Sequence, residues 1–390
     1  MFKLPTLVSL LALAASELAA ASPCVTFDSN FNLLVFGLDG KDWNAGTQDS
    51  WTNGTATDIT TSGRPSFNGT DTTCYLAQFF NAVYVMNGES SDPSAVHIYD
   101  ATHKSWSKQS VTTGSFDPSD FNTILDHDTN VFYALSKDTL YYLNMGEMTT
   151  ANSSAIAWVD VEQSPYPSSY TNPVMALAQN HVHFLDIPGV SAGDAKIFVI
   201  HYSYFQPDAQ SYPLPNGSAF PATHGQTASF FQKEGVQQEF AFIPDDGQAT
   251  YVINVETNTT EAYAGPPVKD AGATYAASIT ALVQLDSQGA LAFLPYTEGD
   301  VSANTAATWE SVKAIAAVAP ASSAAASSAT GSVSGSVTAS GSKVTSTSGA
   351  SGSSSTGSAS GSSSSSGAIA VRMSRAIVVA GVLGIVACVL

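Results

Sequence analysis

The segment Val83-Tyr84-Val85-Met86-Asn87-Gly88 decides the fold of this chain. It is a short apolar stretch that ends in an Asn-Gly pair, and this pair favours the positive φ angles of a tight hairpin turn. A second apolar segment, Val96-His97-Ile98-Tyr99-Asp100, follows it, and Trp106 comes six residues after Asp100. The pattern predicts a series of short antiparallel strands.

The apolar stretch recurs along the body of the chain. Its six copies begin 50, 48, 51, 58 and 51 residues apart, at 33–36, 83–86, 131–134, 182–185, 240–243 and 291–294. A period near 50 residues of short strands is typical of β-propellers. Each copy is apolar at successive positions, as Val83 and Tyr84 illustrate, which fits a blade packed on both faces by its neighbours.

Each repeat contains signals for three further strands. A less regular apolar segment precedes the main stretch, as at 74–78, and a third strand follows it, as at 96–99 and 196–200. Aromatic residues that we expect to lie in the blade core mark the fourth strand: Trp106, Trp158, Tyr212, Tyr263 and Trp309. The sequence therefore predicts an all-β fold, a propeller of about six, alternatively seven, four-stranded blades over residues 22–318.

The second repeat resembles a kelch repeat, which has an apolar strand, a Gly-Gly turn, a Tyr-Asp pair and a Trp six residues beyond the Asp. Tyr99, Asp100 and Trp106 carry the resemblance, and 205–212 has the same layout. The resemblance implies a propeller that binds partners through its loops. The chain lacks the Gly-Gly doublet and carries an insertion around Asn152, so the blade number stays open.

The two ends of the chain predict a location outside the cell. Residues 1–21 have the basic start, apolar stretch and small residues of a signal peptide. The tract 319–367 is rich in Ser, Gly and Ala, which predicts a disordered stalk. Residues 368–390 predict a glycosylphosphatidylinositol (GPI) signal, with attachment candidates Ser364, Ser365 and Ser366, or alternatively a membrane segment. This layout resembles GPI-anchored wall proteins of fungi.

Charge and cysteine content fit that location. The net charge is −19, from 13 basic and 32 acidic residues; without Lys3, Glu17, Arg372 and Arg375 these become 10 and 31, or −21. Such acidity argues against nucleic-acid partners. Cys388 lies in the predicted anchor signal, which leaves Cys24 and Cys74, each nine residues before the main strand of its repeat. We predict a disulfide between them that joins blades one and two.

Five Asn-Xaa-Ser/Thr sequons predict surface loops that carry N-glycans. They lie at Asn53, Asn68, Asn152, Asn216 and Asn258.

Signals for chemistry are few. His181 and His183 share one strand face and are either a metal pair or blade-edge side chains. Asp126-His127-Asp128 predicts a solvated turn, and 39–49 has loosely spaced oxygen ligands without the pattern of an EF-hand calcium loop. There is no Gly-Xaa-Ser-Xaa-Gly elbow and no phosphate loop. We assign no catalytic residue, cofactor or metal site.

Aromatic residues in turn-rich segments are candidates for stacking on sugars: Trp43, Trp51, Tyr166 and Tyr170. The leading hypothesis is a non-enzymatic surface module that binds an extracellular glycan or protein and is tethered to the plasma membrane or wall. A carbohydrate-active enzyme with a carboxylate pair in the central channel is one alternative. A structural wall component without a specific ligand is the other.

Overall fold

The computed structural model describes residues 22–321 of the 390-residue chain. The predicted signal peptide, the stalk beyond residue 321, the GPI attachment candidates and the anchor segment lie outside the described residues. In the described part, no helix is long and apolar enough to cross a membrane. Strands dominate this part, and they form six main sheets in chain order.

The first three sheets follow one another from the start of the described chain. Sheet one contains β1 (Cys24–Phe27), β2 (Leu33–Leu38), β3 (Lys41–Asn44) and β4 (Thr57–Asp58). Sheet two contains β5 (Thr73–Ala77), β6 (Ala82–Met86), β7 (Val96–Asp100) and β8 (Ser105–Gln109). The short β9 (Val111–Thr112) precedes sheet three, which contains β10 (Asn122–Asp126), β11 (Val131–Ser136), β12 (Thr139–Asn144) and, after β13 (Ile156–Ala157), β14 (Val159–Gln163).

The last three sheets repeat the arrangement. Sheet four contains β15 (Val174–Ala178), β16 (His181–Leu185), β17 (Asp194–Val199) and an outer strand split into β18 (Tyr204–Phe205) and β19 (Gln210–Ser211). Sheet five contains β20 (Gly225–Ser229), β21 (Glu239–Pro244), β22 (Ala249–Asn254) and β23 (Thr259–Ala264). Sheet six contains β24 (Thr274–Ala277), β25 (Ala281–Leu285), β26 (Leu291–Pro295) and β27 (Glu310–Ser311).

Helices are short. The α-helices are α1 (Val301–Ala306) and α2 (Lys313–Ala316), and the 3-10 turns are Gln48–Ser50, Gln78–Phe80 and Ile200–Tyr202. The insertion predicted around Asn152 is present: its β13 pairs in parallel with β9, next to blade three.

The six sheets are the blades of a propeller. Strands within each blade are antiparallel, and the first strands of all six blades contact one another in a ring that β1 closes against β24. This confirms the six-bladed β-propeller and is consistent with the kelch resemblance. No seventh blade occurs in residues 22–321.

Apolar layers between the blades hold the ring together. Each of the six spaces between neighbouring blades contains one cluster of buried apolar side chains. Val83 faces the layer shared with blade one and Tyr84 the layer shared with blade three, and both are fully buried. The apolar character of both strand faces therefore has the predicted cause.

One strand assignment is wrong. The segment 291–294 was predicted to be the second strand of its blade, but it lies in β26, the third strand. The second strand is β25, which the repeat pattern predicts to be the first strand of the blade. The two strands cannot be told apart by composition, because both are buried on both faces.

The hairpin turns and outer aromatic residues largely follow the prediction. Asn87, after β6, has a φ of 52°, and Asp39 and Gly40, between β2 and β3, have φ angles of 52° and 74°. Tyr263 and Trp106 lie in the fourth strands of their blades. The other aromatic residues predicted to mark fourth strands are adjacent in sequence to an outer strand: Trp158, Tyr212 and Trp309.

The ring closes by packing. Blade one comes from the N-terminal end of the folded region and blade six from its C-terminal end. Neither blade contains a strand from the other end. Instead, Ala314 in α2 donates its N–H to the carbonyl of Trp51 at 2.9 Å and accepts from Ala56 at 3.1 Å. The Trp51 ring meets Phe293 edge-on at 5.0 Å, and the packing extends to Ala319, which is buried in this layer.

The propeller has two distinct faces. The first strands all end at one of them, which we call the exit face. Because neighbouring strands run in opposite directions, this face carries the turns between first and second strands and the connections between third and fourth strands.

Candidate functional site

The candidate site is the central channel and its mouth on the exit face. Each first strand pairs with its second strand along one edge only, so its other edge is turned toward the axis. A cavity of about 190 Å³ runs along these strands. A concave, largely pre-formed cavity of this kind is where a propeller would hold a small group.

The channel wall carries no charged residue other than a histidine. Among the residues that line the cavity in the described part of the chain there is no Asp, Glu, Lys or Arg. The polar lining consists of hydroxyl and amide side chains with His127: Thr26, Thr73, Tyr75, Asn122, Thr123, His127, Gln226, Thr227, Ser229, Gln237, Thr274 and Tyr275. The wall thus suits a neutral ligand.

Some of these polar groups join neighbouring blades. The Ser229 hydroxyl donates to the carbonyl of Leu177 at 2.7 Å, and the Tyr75 hydroxyl donates to the carbonyl of Thr123 at 3.1 Å. Carbonyl groups on the free strand edges therefore accept bonds from the next blade, and these side chains help to hold the ring.

Other polar atoms at the cavity have no protein partner. They are Thr274 Oγ1, Gln237 Oε1 and His127 Nδ1, which are buried on residues that line the cavity; the side chains of His127 and Gln237 also interact with each other. A buried polar atom without a partner costs about 1–3 kcal/mol, so it gains from a ligand or water that supplies the bond.

Aromatic rings surround the mouth of the channel. The ring of His127 lies parallel to that of Phe79, with centroids 5.9 Å apart and an interplanar angle of 19°. Phe231 meets His127 edge-on at 5.2 Å, and Phe31 lies 5.6 Å from Phe231. We call these four residues the aromatic rim; blades one, two, three and five each supply one of them.

His127 is neutral near pH 7. Burial lowers its pKa, although the neighbouring carboxylates of Asp128 and Asp126 and a hydrogen bond with Gln237 act in the opposite direction. Its Nε2 lies 3.3 Å from an oxygen of Asp128. If the ring proton is assigned to Nε2 on the basis of this contact, Nδ1 is a hydrogen-bond acceptor.

The expectation of a solvated turn at 126–128 is wrong. Asp126 is fully buried and His127 is 3% exposed. Asp126 accepts from the Thr129 hydroxyl at 2.6 Å, and burial raises its pKa. The turn is buried because Phe231 of blade five covers it, a contact that the local sequence does not reveal.

The aromatic residues proposed to stack on sugars are not exposed. Trp43, Trp51 and Tyr170 are buried in interblade layers, and Tyr166 is half-buried against Phe184 at 5.1 Å. Exposed aromatic rings occur elsewhere, at Phe79, Tyr202 and Tyr204. By contrast, Trp106 and Trp158 belong to the core as predicted, and Trp309 packs half-buried on the layer between blades five and six.

The histidines at 181 and 183 do not form a metal pair. His183 is buried between blades four and five, 5.6 Å from the ring of Phe240, whereas His181 is half-buried and faces His201 at 5.2 Å. Across residues 22–321, no group of three or more His, Cys, Asp or Glu side chains is placed to hold a metal ion. The segment 39–49 does not gather oxygen ligands either, because Asp42 is bound by Arg64.

Burial of His183 predicts a loss of stability in acid. Burial, assisted by nearby His181, lowers the pKa of His183 to about 3, below the 6.5 of an exposed imidazole. The unfolded chain therefore binds a proton that the folded chain does not, and stability falls as the pH drops from about 6.5 toward 3. We expect a contribution of about 3 kcal/mol to be lost by pH 4.

The variant His183→Leu checks this expectation, since it removes the titrating group and keeps the apolar contact. Urea midpoints measured from pH 7 to pH 4 should fall less steeply for the variant than for the parent protein. Equal slopes would contradict the assignment. His201→Leu, at an exposed position, is the control.

The predicted disulfide is present. Cys24 in β1 and Cys74 in β5 are bonded, with Cα atoms 5.7 Å apart. The bond joins the first strands of blades one and two, as expected, and both cysteines lie in the channel wall.

The sequons lie in connections outside the strands. Asn53, Asn152, Asn216 and Asn258 are exposed, and Asn68 is half-buried, with its Oδ1 accepting from the Ser90 N–H at 3.0 Å. Three of the five, Asn53, Asn152 and Asn258, are on the exit face, in connections between third and fourth strands of blades one, three and five. Glycosylation at these positions stays a prediction.

The channel wall suits a neutral group, and within residues 22–321 it contains no carboxylate pair of the kind that the enzyme hypothesis requires. Neither protein-family models nor curated protein sequences give a match to this chain.

Proposed function

We propose that the propeller is a non-enzymatic binding module that takes a neutral, hydroxyl-rich ligand, a glycan of the extracellular space, into its central channel. The observation that supports this most is the channel wall of hydroxyl and amide side chains, which has no Asp, Glu, Lys or Arg among the described lining residues. Hydroxyl groups of a sugar match the hydroxyl and amide groups of this wall. In this proposal a GPI-tethered stalk holds the kelch-like propeller at the cell surface or wall.

The rival hypotheses receive less support. Glycoside hydrolysis generally needs two carboxyl groups about 5–10 Å apart at the bound sugar, and no carboxylate lines the cavity in the described residues. A purely structural wall component does not require a polar cavity along the axis of the propeller.

Thr274→Val tests the channel as the binding site. Valine has nearly the same shape and lacks the hydroxyl, so ligand affinity should fall about 5- to 10-fold if the ligand bonds to Oγ1. Folding stability should be unchanged or higher, because an unpartnered polar atom is removed. The full-length chain would be screened on a glycan array, and affinities for the strongest ligand then measured by calorimetry.

Thr250→Val is the matched control. Thr250 is buried in blade five, away from the channel, and its hydroxyl donates to the carbonyl of Ala264 at 2.9 Å. This variant should lose stability and keep its affinity. Equal affinities for the two variants would place the site elsewhere, and an array without any bound glycan would overturn the proposed function.

A further inference from the structure

Phe79 is the most exposed phenylalanine of the described chain. Its side chain is 65% exposed, while the other large exposed hydrophobic residues of 22–321 are two tyrosines and three valines. It lies in the 3-10 turn that follows β5, on the exit face, against His127, which lines the cavity. An exposed aromatic ring at the opening of a polar cavity is a candidate contact surface for a ligand.

The ring of Phe79 is held in place from behind. His127 stacks against one side of it, and Phe231 in turn fixes His127. The turn itself is anchored at Asn81, which has a φ of 50°. Asn81 accepts from the Ser29 N–H of blade one at 3.0 Å and donates to the Thr102 hydroxyl at 3.0 Å. The free side of the Phe79 ring is therefore a pre-positioned flat surface.

Such a surface fits one face of a pyranose ring. The face of an aromatic ring is electron-rich, and the axial C–H groups of a sugar carry a slight positive charge. His127 and Gln237 line the adjacent cavity, whose wall consists of neutral polar and apolar side chains that suit a sugar. Asp128, with its carboxylate partly exposed behind the rim, disfavours sugars that carry acidic groups.

The size of the cavity limits what enters. At about 190 Å³ it is smaller than the roughly 300–1,000 Å³ of pockets that enclose drug-sized ligands. Six blades enclose it on all sides, so a chain cannot lie across it as in a groove. One sugar unit fits inside, and the next unit must lie at the mouth.

We infer that Phe79 forms a stacking subsite for the second pyranose of a neutral glycan whose terminal unit occupies the channel, so that the propeller recognises chain ends. This inference rests on the proposed function and adds the ligand's orientation and class to it. Phe79, His127 and Gln237 then determine specificity.

A length series tests the inference on the full-length chain. The probes are glucose, mannose and N-acetylglucosamine and their β-linked oligomers of two to six units, with affinities measured by calorimetry. In the series that binds, affinity should rise from one unit to two and then remain level. Phe79→Ala should weaken the binding of the two-unit and longer probes about 5- to 10-fold and leave the single unit unchanged.

Two further variants sharpen the result. Phe79→Trp keeps a flat ring and should retain the gain from the second unit. Tyr202→Ala removes another exposed ring, 74% exposed, from a 3-10 turn on the same face in blade four, and should change nothing. Affinity that continues to rise up to six units, or equal effects of Phe79→Ala and Tyr202→Ala, would overturn the inference.

The outcomes also separate the inference from the proposed function. If a single sugar binds and Thr274→Val weakens it while Phe79→Ala has no effect on longer probes, the channel site stands and the stacking subsite is wrong. If no probe binds, both are wrong.

Discussion

Arg64→Ala should destabilise the propeller by about 3–5 kcal/mol at pH 7, because it leaves a buried carboxylate without its counter-ion. Asp42 in β3 is completely buried. The Arg64 guanidinium binds both of its oxygens, at 2.9 and 2.6 Å, and also donates to the carbonyl of Gly40 at 2.7 Å. After the substitution, the Asp42 carboxylate keeps two neutral donors, the Gly37 N–H at 3.0 Å and the Trp106 indole, but loses the positive charge beside it.

The position of this ion pair explains the size of the expected effect. Arg64 belongs to the connection between blades one and two, and its guanidinium lies 5.0 Å from the ring centre of Phe67. Phe67 itself is buried in the layer between those blades. Loss of Arg64 therefore removes its contact with Phe67, which helps to hold the connecting segment on the blades, as well as its ion pair with Asp42.

Two measurements check the Arg64 prediction. Burial raises the pKa of Asp42 even with Arg64 present, so in the variant the carboxyl should protonate more readily and the deficit should shrink as the pH falls. The double variant Asp42→Leu/Arg64→Met, without any buried charge, should lose less than Arg64→Ala alone. Urea unfolding measures both; a deficit below about 1 kcal/mol that is independent of pH would contradict the prediction.

The sequence predicts the blades because their signals are local. Val83 and Tyr84 are both apolar since a blade is covered on both faces, and this pattern recurs with each blade. The disulfide follows from the same repeat, because Cys24 and Cys74 occupy equivalent positions in it. The local pattern fails in blade six, where β25 and β26 are equally apolar and composition does not show which of them is the second strand.

The surroundings of the candidate site depend on distant contacts. Trp51 lies in a turn-rich segment and looks exposed, yet α2, from the far end of the folded region, covers it. The turn containing His127 looks solvated, yet Phe231 packs on it from blade five. The only sequence signal for this part of the site was His127, which lies between Asp126 and Asp128 at the end of the first strand of blade three. Its burial and its neighbour Phe79 become visible only when the ring of blades is closed.

Removal of the disulfide should lower the stability of the folded chain by about 4 kcal/mol, mainly by giving the unfolded chain more freedom. The bond closes a loop with a sequence separation of 50, and the chain-entropy model assigns about 4 kcal/mol to a loop of that length. The folded state should change little, because β1 and β5 keep their contacts in the ring and Cys24 is 1% exposed, so serine fits the space.

The experiment compares Cys24→Ser/Cys74→Ser with the parent protein, both carrying Cys388→Ser to prevent mispairing. The urea midpoint of the double variant should fall, and treatment of the parent with a reductant should produce the same shift, whereas the reductant should leave the double variant unchanged. Since Cys24 and Cys74 lie in the channel wall, ligand affinity below the unfolding transition serves as the second readout. Affinity should persist in the double variant, because the lost bond acts on the unfolded chain. A loss of stability below about 1 kcal/mol would contradict the prediction, since it would show that the bond does not restrict the conformations of the unfolded chain.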